Sequence, residues 1–180
     1  MYDLTKMANL AEILGVVIVV GGLFFAMLQM RQTRQQRREL AAIELFRFFG
    51  NPNFTAAYKV VLRLPDDTTA DDIRSGEPSL EDAAMLISAT MENIGVMTFQ
   101  RIVPFTIVSH LIGSTTPALW RKLSRWAATL REEQGTPDAF EWFQWLAERL
   151  VEYNPPDTPP AYVVNKGWVP AHLKNQIGSE

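Results

Sequence analysis

The side chains that most often carry chemistry are few and scattered in this 180-residue chain. The two histidines, His110 and His172, lack the i, i+4 spacing that lets two imidazoles share a metal ion on one helix. Cysteine is absent, which excludes a thiolate nucleophile, a disulfide framework and a cysteine zinc site. We therefore expect no metal and no cofactor. The apolar setting of His110, VSHLIG, favours a helix-end side chain over a ligand.

Two acidic pairs, Asp66-Asp67 and Asp71-Asp72, lie in a segment rich in Thr, Asp and Pro. Solvation and helix capping explain them, because the segment lacks the turn with converging oxygens that a divalent cation needs. Ser114 follows Gly113, but GSTTP predicts a helix break and not the G-x-S-x-G turn of a nucleophilic serine. We assign no catalytic residue, and the chain is not expected to be an enzyme.

Glu92 is the acidic residue that lies beside an apolar helical face. A buried carboxylate is costly unless it is paired. We therefore expect Glu92 to meet an arginine of a facing helix, with Arg101, Arg125 and Arg131 as candidates. The alternative is an anchored enzyme or ligand sensor with a pocket between the helices near Glu92 and His110, because helical pockets need no sequence motif.

The elements that would position these residues begin with an apolar segment. Residues 10–30 contain one charged residue, Glu12, near the N-terminal end. As a helix they would reach roughly 27–32 Å, about one hydrocarbon core. They predict a transmembrane helix that follows a short extracytoplasmic N-terminus, residues 1–9. A buried core helix is disfavoured because no face from Ile13 to Leu28 is polar.

A basic stretch follows the apolar segment directly. It belongs to a predicted juxtamembrane helix, residues 31–50, and its arginines are Arg31, Arg34, Arg37 and Arg38. Positive charge stays on the cytoplasmic side. The chain is thus predicted to be a single-pass protein of the bacterial inner membrane, N-out/C-in, with residues 31–180 cytoplasmic. The arginines either bind lipid headgroups or only set this orientation.

Small residues recur on one side of the predicted membrane helix, at Ala11, Gly15, Gly22 and Ala26. Small residues let helices approach closely in lipid. They predict a packing contact with a second copy or with other subunits of a membrane complex. The alternative is the ordinary glycine content of membrane helices. Residues 51–180 are acidic overall, so no nucleic-acid partner is expected.

Proline, glycine and capping residues divide residues 51–153 into a helical bundle. The predicted helix starts are Asn51-Pro52, a capping box of Ser79 with Asp82, Pro104, Thr116-Pro117 and Thr136-Pro137. The predicted helix ends are Gly113 and Gly135. Helical spacing also predicts two inward faces, which are Ala84, Ile87, Met91, Ile94 and Thr98 in the helix that follows Ser79, and Phe143, Leu146, Ala147, Leu150 and Val151 in the last helix. Residues 154–180 form a proline-rich tail, which we expect to lie extended across the bundle or a neighbouring subunit. The predicted fold class is therefore all-α.

Five tryptophans are more than one small core needs. Trp142 and Trp145 flank the predicted inward face of the last helix, and Arg149 lies one turn after Trp145. Tryptophan and arginine are enriched in binding hot spots. Together with Trp168 of the tail, these residues predict a protein interface. The alternative is a large-ringed core packed under the tail.

The order of segments is also familiar: an N-terminal membrane helix, then LQMRQTRQQRRELAAIELFRFFGNPNF, MENIGVMTFQRIVPFTIVSHLIG, LWRKLSRW and FEWFQWLAERL. It resembles a group of uncharacterised bacterial single-pass membrane proteins. The most specific motifs are Glu92-x-x-Gly95, Trp120 and the stretch that begins at Phe140. The resemblance implies the same architecture and supplies no catalytic residue. With the sequence features, it favours a membrane-anchored, non-catalytic interaction or scaffold protein.

Overall fold

The structure, a computed structural model, describes residues 12, 14–30, 32, 43, 47, 49–154 and 157–170. Within these ranges the regular secondary structure is entirely helical and no strand occurs, which confirms the all-α prediction. Residues 14–30 form helix α1. No helix among the described residues combines the length and the apolar character needed to cross a membrane.

Among the described residues from 51 onward, seven further helices follow α1. They are α2 (Pro52–Leu62), α3 (Ala70–Ser75), α4 (Ser79–Phe99), α5 (Phe105–Ile112), α6 (Thr115–Gln134), α7 (Glu141–Tyr153) and α8 (Ala161–Val164). Helix α4 packs against α2 and α7, and α7 also packs against α6. The predicted inward face of α4 is confirmed, since all its members are buried: Ala84, Ile87, Met91, Ile94 and Thr98.

The predicted start of α2 is confirmed. The Asn51 side chain accepts the N–H of Asn53 at 2.9 Å, and Pro52 holds the first helical position. An N–H at this position has no partner within the helix, so proline, which lacks the N–H, costs no hydrogen bond.

The predicted capping box at Ser79 and Asp82 is wrong. Pro78 already has helical backbone angles, so Ser79 lies inside α4 and cannot cap it. The capping box occurs instead at α3, where Thr69 is extended and exchanges hydrogen bonds with Asp72. The two pairs have the same spacing, and the conformation of the first residue decides between them.

Helix α6 ends where the sequence predicts, at Gly135, whose φ of 63° suits glycine. The last helix starts later than Thr136-Pro137 predicts, because a turn occupies residues 137–140 and α7 begins at Glu141. Its inward face is buried at Phe143, Leu146, Ala147 and Leu150. Val151 was expected there but is exposed, since it lies one residue beyond the buried stripe.

The described part of the tail, residues 157–170, differs from the expected extended run. Pro160 precedes the single turn of α8, whose Val164 N–H donates to the Pro160 carbonyl at 3.1 Å. The side chains of Tyr162, Val164 and Trp168 are exposed, so these residues do not cover the bundle.

Candidate functional site

The contact between α4 and α7 holds several of the residues that the sequence singled out, among them Glu92, Trp142 and Trp145. At its first end, Glu92 of α4 reaches the N-terminus of α7, and its Oε2 accepts the backbone N–H of Phe143 at 2.7 Å. The backbone N–H of Trp142 also hydrogen-bonds this carboxylate. Glu92 therefore caps α7 from a different helix, where a carboxylate meets free N–H groups and the positive end of the helix dipole.

Helix α7 needs this external cap because it has none of its own. Its N-cap residue, Phe140, is in the left-handed region at φ 58° and makes no side-chain cap hydrogen bond. The Phe140 ring stacks instead on the fully buried Trp126, with centroids 5.6 Å apart. This ring packing holds the start of α7. The Glu141 N–H donates to the Asp138 carbonyl, and the next two N–H groups, of Trp142 and Phe143, are left to Glu92.

Gly95 lies one turn after Glu92 and lets α7 approach. A Cβ built on Gly95 would lie 2.4 Å from the Trp142 carbonyl oxygen and 2.7 Å from its carbon. These are backbone atoms of α7 and cannot rotate away. The Glu92-x-x-Gly95 motif thus has two structural roles: the acid caps α7, and the glycine makes room for its first turn.

Glu92 was expected to pair with an arginine, but its partner is the backbone of α7. Arg131 instead donates to the Ala139 carbonyl at 2.8 Å and to the Gln144 side chain at 2.9 Å. Its guanidinium carbon also lies 5.9 Å from the centre of the Trp120 ring. Arg131 acts on Glu92 only through its charge.

Burial raises the pKa of the Glu92 carboxyl above its ordinary value. The hydrogen bonds from Phe143 and Trp142 oppose this shift, the Glu141 charge adds to it, and the Arg131 charge opposes it. Desolvation is the largest of these effects and sets the direction. A raised pKa in a cleft can mark a catalytic acid, but here the carboxylate is occupied by α7.

The second end of the α4–α7 contact is an open cleft of about 600 Å³. Phe99 and Trp145 form one wall, with ring centroids 5.7 Å apart and nearly perpendicular. Phe105 and Tyr153 meet edge to face on another, at 5.1 Å. The remaining lining residues are Thr98, Arg101, Val103, Pro104, Arg149 and Glu152.

The turn after α4 shapes this cleft. The Ile102 N–H donates to the Met97 carbonyl and the Arg101 N–H to the Thr98 carbonyl, both at 3.0 Å. This pair of bonds is a Schellman motif, which requires a left-handed residue at the position that Arg101 holds. Arg101 has φ 59° there, although glycine adopts that conformation with less strain.

The predicted interface residues are only partly brought together. Trp142 and Trp145 pack edge to face at 6.0 Å and are half-buried, and Arg149 follows on the same helix, where its guanidinium pairs with Glu152. Trp168 lies on the tail and does not line the cleft. The other two tryptophans belong to the packed interior: Trp126 is fully buried, and Trp120 contacts Phe143.

The predicted membrane-facing residues lie largely beyond what is described. Gly15, Gly22 and Ala26 lie on α1, and no other part of the described residues comes within 4 Å of a Cβ built on either glycine. Outside the described residues lie Ala11, Arg31, Arg34, Arg37 and Arg38.

The acidic pairs have structural partners. Asp66 binds Arg121 at 3.2 Å and Lys122 at 3.1 Å, and these contacts lower its pKa. Asp72 completes the capping box of α3.

His110 is exposed on α5 and does not line the cleft at the second end of the α4–α7 contact. His172 is outside the described residues. In the part of the chain that is described, no three His, Asp or Glu side chains are grouped closely enough to hold a metal ion.

Sequence reasoning missed three contacts at this site and its surroundings. It did not find the cap from Glu92 to α7, the left-handed Arg101, or the clamp in which Arg74 binds Glu133 through two hydrogen bonds of 2.8 and 2.6 Å. The sequence did contain a signal for the cap from Glu92 to α7. Glu92, Gly95 and Phe99 follow at steps of three and four, so an acid, a small residue and a ring share one face of α4.

Comparisons with known proteins place the chain in a family. No curated protein and no solved structure matches it. A family model extends from α1 into α7 and includes Glu92, Gly95 and Trp142. That model, described as a domain of unknown function, DUF4760, matches residues 16–150, and the chain therefore belongs to this family.

Proposed function

We propose that this protein is a membrane-anchored, non-catalytic interaction protein, an accessory or self-associating subunit of a bacterial inner-membrane complex. The observation that carries the proposal is α1. No residue from 14 to 30 is charged, and the large apolar side chains there are 47–66% exposed. Such a surface is unfavourable in water, at roughly 25 cal/mol for each Å² of apolar area, and favourable in lipid.

Charge supports one orientation of this anchor. The basic residues Arg31, Arg34, Arg37 and Arg38 follow α1, whereas residues 1–12 carry Asp3, Lys6 and Glu12. Under the positive-inside rule the N-terminus crosses, residues 31–180 stay cytoplasmic, and the arginines lie at the lipid headgroups. The bundle is then held beside the membrane.

Two surfaces support the interaction role. The small-residue side of α1, with Gly15, Gly22 and Ala26, allows close approach of a second helix in lipid. The half-buried pair Trp142 and Trp145 offers aromatic surface on the bundle. We propose the first as a contact between copies and the second, with Arg149 and Trp168, as a contact with other subunits.

Topology tests the anchor. A reporter that is active only in the cytoplasm, fused after Glu180, should be active, and the chain should stay in the membrane fraction after alkaline extraction. Replacing Arg31, Arg34, Arg37 and Arg38 with glutamate should reduce or reverse this orientation. Release of the wild-type chain by alkaline extraction, or activity of a periplasm-dependent reporter at Glu180, would contradict the proposal.

Cross-linking in native membranes tests the contact between copies. Gly15→Ile and Gly22→Ile should insert normally, because isoleucine suits lipid, but they should lower the cross-linked fraction. Ile18→Ala is the matched change away from these glycines. Equal cross-linking of all three variants and the wild type would show that copies of the chain do not contact each other through these glycines of α1.

A second candidate function, an anchored ligand sensor, is favoured by the cleft at the second end of the α4–α7 contact. Its volume of about 600 Å³ lies in the range of small-molecule sites. It is lined by aromatic rings and arginines, away from Glu92 and His110.

A further inference from the structure

The lining of this cleft defines the kind of molecule that fits it. Aromatic walls face the opening from Phe99 and Trp145 on one side and from Phe105 and Tyr153 on another. Val103, fully buried, closes the base. The hydroxyl of Thr98 already donates to the Ile94 carbonyl at 2.6 Å. The interior therefore offers mainly apolar surface to a ligand.

The charged groups of the lining do not cancel. Arg149 and Glu152 form an ion pair at 2.5 Å. Among the described residues, no carboxylate lies within ion-pair distance of Arg101, which is exposed. The cleft thus carries one positive charge without a partner among these residues. An anion complements it, and a cation does not.

The conformation of Arg101 supports a role for its side chain. The Schellman motif after α4 uses only backbone groups at this position, and glycine would satisfy it with less strain. A non-glycine residue in the left-handed region is strained, and such residues cluster at binding sites. The motif does not explain an arginine here, whereas contact with a ligand does.

We propose that this cleft binds a small amphipathic carboxylate, with its apolar body between the aromatic walls and its carboxylate on Arg101. A guanidinium matches a carboxylate in two parallel hydrogen bonds, and aromatic rings pack against a flat apolar body. The cleft volume of about 600 Å³ lies in the range of small-molecule sites. The inference gives the second candidate function its ligand class and does not depend on the membrane anchor.

Calorimetric titration tests the proposal on the full-length protein in phosphatidylcholine nanodiscs, with empty nanodiscs as the blank. The probes are 2-naphthoate and its neutral analogue 2-naphthamide. The wild type should bind naphthoate about tenfold more tightly than the amide, the usual worth of a charge-assisted contact. This comparison removes the part of binding that is due to the apolar body alone.

Variants then locate the anion. Arg101→Gly keeps the backbone conformation and should lower naphthoate affinity to that of the amide, while leaving amide affinity unchanged. Arg63→Gln removes one exposed charge outside the cleft and should change neither affinity. Tyr153→Leu should weaken both probes. Circular dichroism and thermal unfolding check that each variant is folded.

Three results would overturn the proposal. Equal affinities for naphthoate and naphthamide in the wild type, or naphthoate binding that survives Arg101→Gly, would show that Arg101 does not select an anion. Failure of both probes to bind at millimolar concentration would exclude a small apolar carboxylate as the ligand of this cleft. None of these results bears on the anchor, which the topology experiment tests separately.

Discussion

The two ends of the α4–α7 contact are built from the same pair of helices but differ in every physical respect. At the first end, Glu92 caps α7 and Gly95 touches its backbone, so polar groups are paired and the helices are close. At the second end, Phe99 and Tyr153 are each more than half exposed, and Arg101 has no ion pair within the described part of the chain. One end holds the bundle together, and the other leaves surface free.

The change occurs within one turn of α4. Gly95 and Phe99 are four residues apart and lie on the same side of the helix. Gly95 has no side chain and admits the backbone of α7, whereas the Phe99 ring meets the Trp142 ring at 4.5 Å and the Trp145 ring at 5.7 Å. Replacing a hydrogen by a ring thus converts a tight helix contact into an aromatic surface.

The largest effect is expected from closing the space at the first end. Gly95→Ala places a methyl group against the backbone of Trp142, and we expect a loss of about 3 kcal/mol in the free energy of unfolding. This loss outweighs the roughly 1 kcal/mol that alanine gains over glycine in helix propensity. Urea unfolding followed by circular dichroism measures it.

Gly167→Ala is the control for this change, because no atom of the described residues lies within 4 Å of a Cβ built there. It should leave the unfolding curve unchanged. If Gly95→Ala were as stable as the control, α7 would have to lie farther from α4 than the structure places it.

The next effect is expected from removing the cap. Glu92→Ala deletes the acceptor for the N–H groups at the start of α7, and we expect a loss of about 2 kcal/mol. Glu92→Gln keeps an oxygen in place and avoids the burial of charge, so it should stay within about 0.5 kcal/mol of the wild type. Equal losses for the two variants would mean that the negative charge, and not the acceptor, stabilises α7.

The comparison also separates what could be predicted from sequence from what could not. Asn51-Pro52, Gly135 and the buried stripe of α4 were predicted correctly, because caps and helical periodicity depend on neighbours within a few residues. The first end of the contact was half predicted. Glu92 was expected to be paired, but its partner is a backbone N–H fifty-one residues later, and no side-chain pattern encodes it.

The second end was harder to predict, since its key feature breaks a local rule. Glycine is the sequence signal for a left-handed residue after a helix, and Arg101 gives no such signal. Trp145 and Arg149 were singled out by residue type, but Phe99 and Phe105, which line the same cleft, come from α4 and α5. Tertiary contacts alone bring these residues together.

A smaller effect, and one of opposite sign, is expected at the second end. Arg101→Gly relieves a left-handed arginine, so the free energy of unfolding should rise by about 1 kcal/mol. Gly135→Ala makes the reverse change at the left-handed end of α6, where there is open space, and should lose about 1 kcal/mol. Thermal unfolding of both variants measures the pair. Destabilisation by Arg101→Gly would mean that the arginine side chain supports the fold.

The smallest effect is expected from pH, and it tests how the first end is balanced. Burial raises the pKa of Glu92 against the N–H groups of Phe143 and Trp142. The folded state therefore holds this proton more tightly than the unfolded state. The part of the stability that comes from proton binding at Glu92 is fully present below its unfolded pKa. It is lost as pH rises through its folded pKa. Lowering the pH from about 7 to about 4 should raise the free energy of unfolding of the wild type relative to that of Glu92→Gln.

Urea unfolding of both proteins across this range gives that difference, and Glu92→Gln is the necessary reference. Asp66, Asp72 and Glu133 have lowered pKa values, so their contributions are lost as pH falls, but they are common to both proteins and cancel. If the wild type instead lost stability in acid relative to Glu92→Gln, the N–H groups of α7 would lower the pKa of Glu92 by more than burial raises it. The first end of the contact would then bind the carboxylate as a charged cap, and Glu92→Gln would destabilise the protein at neutral pH.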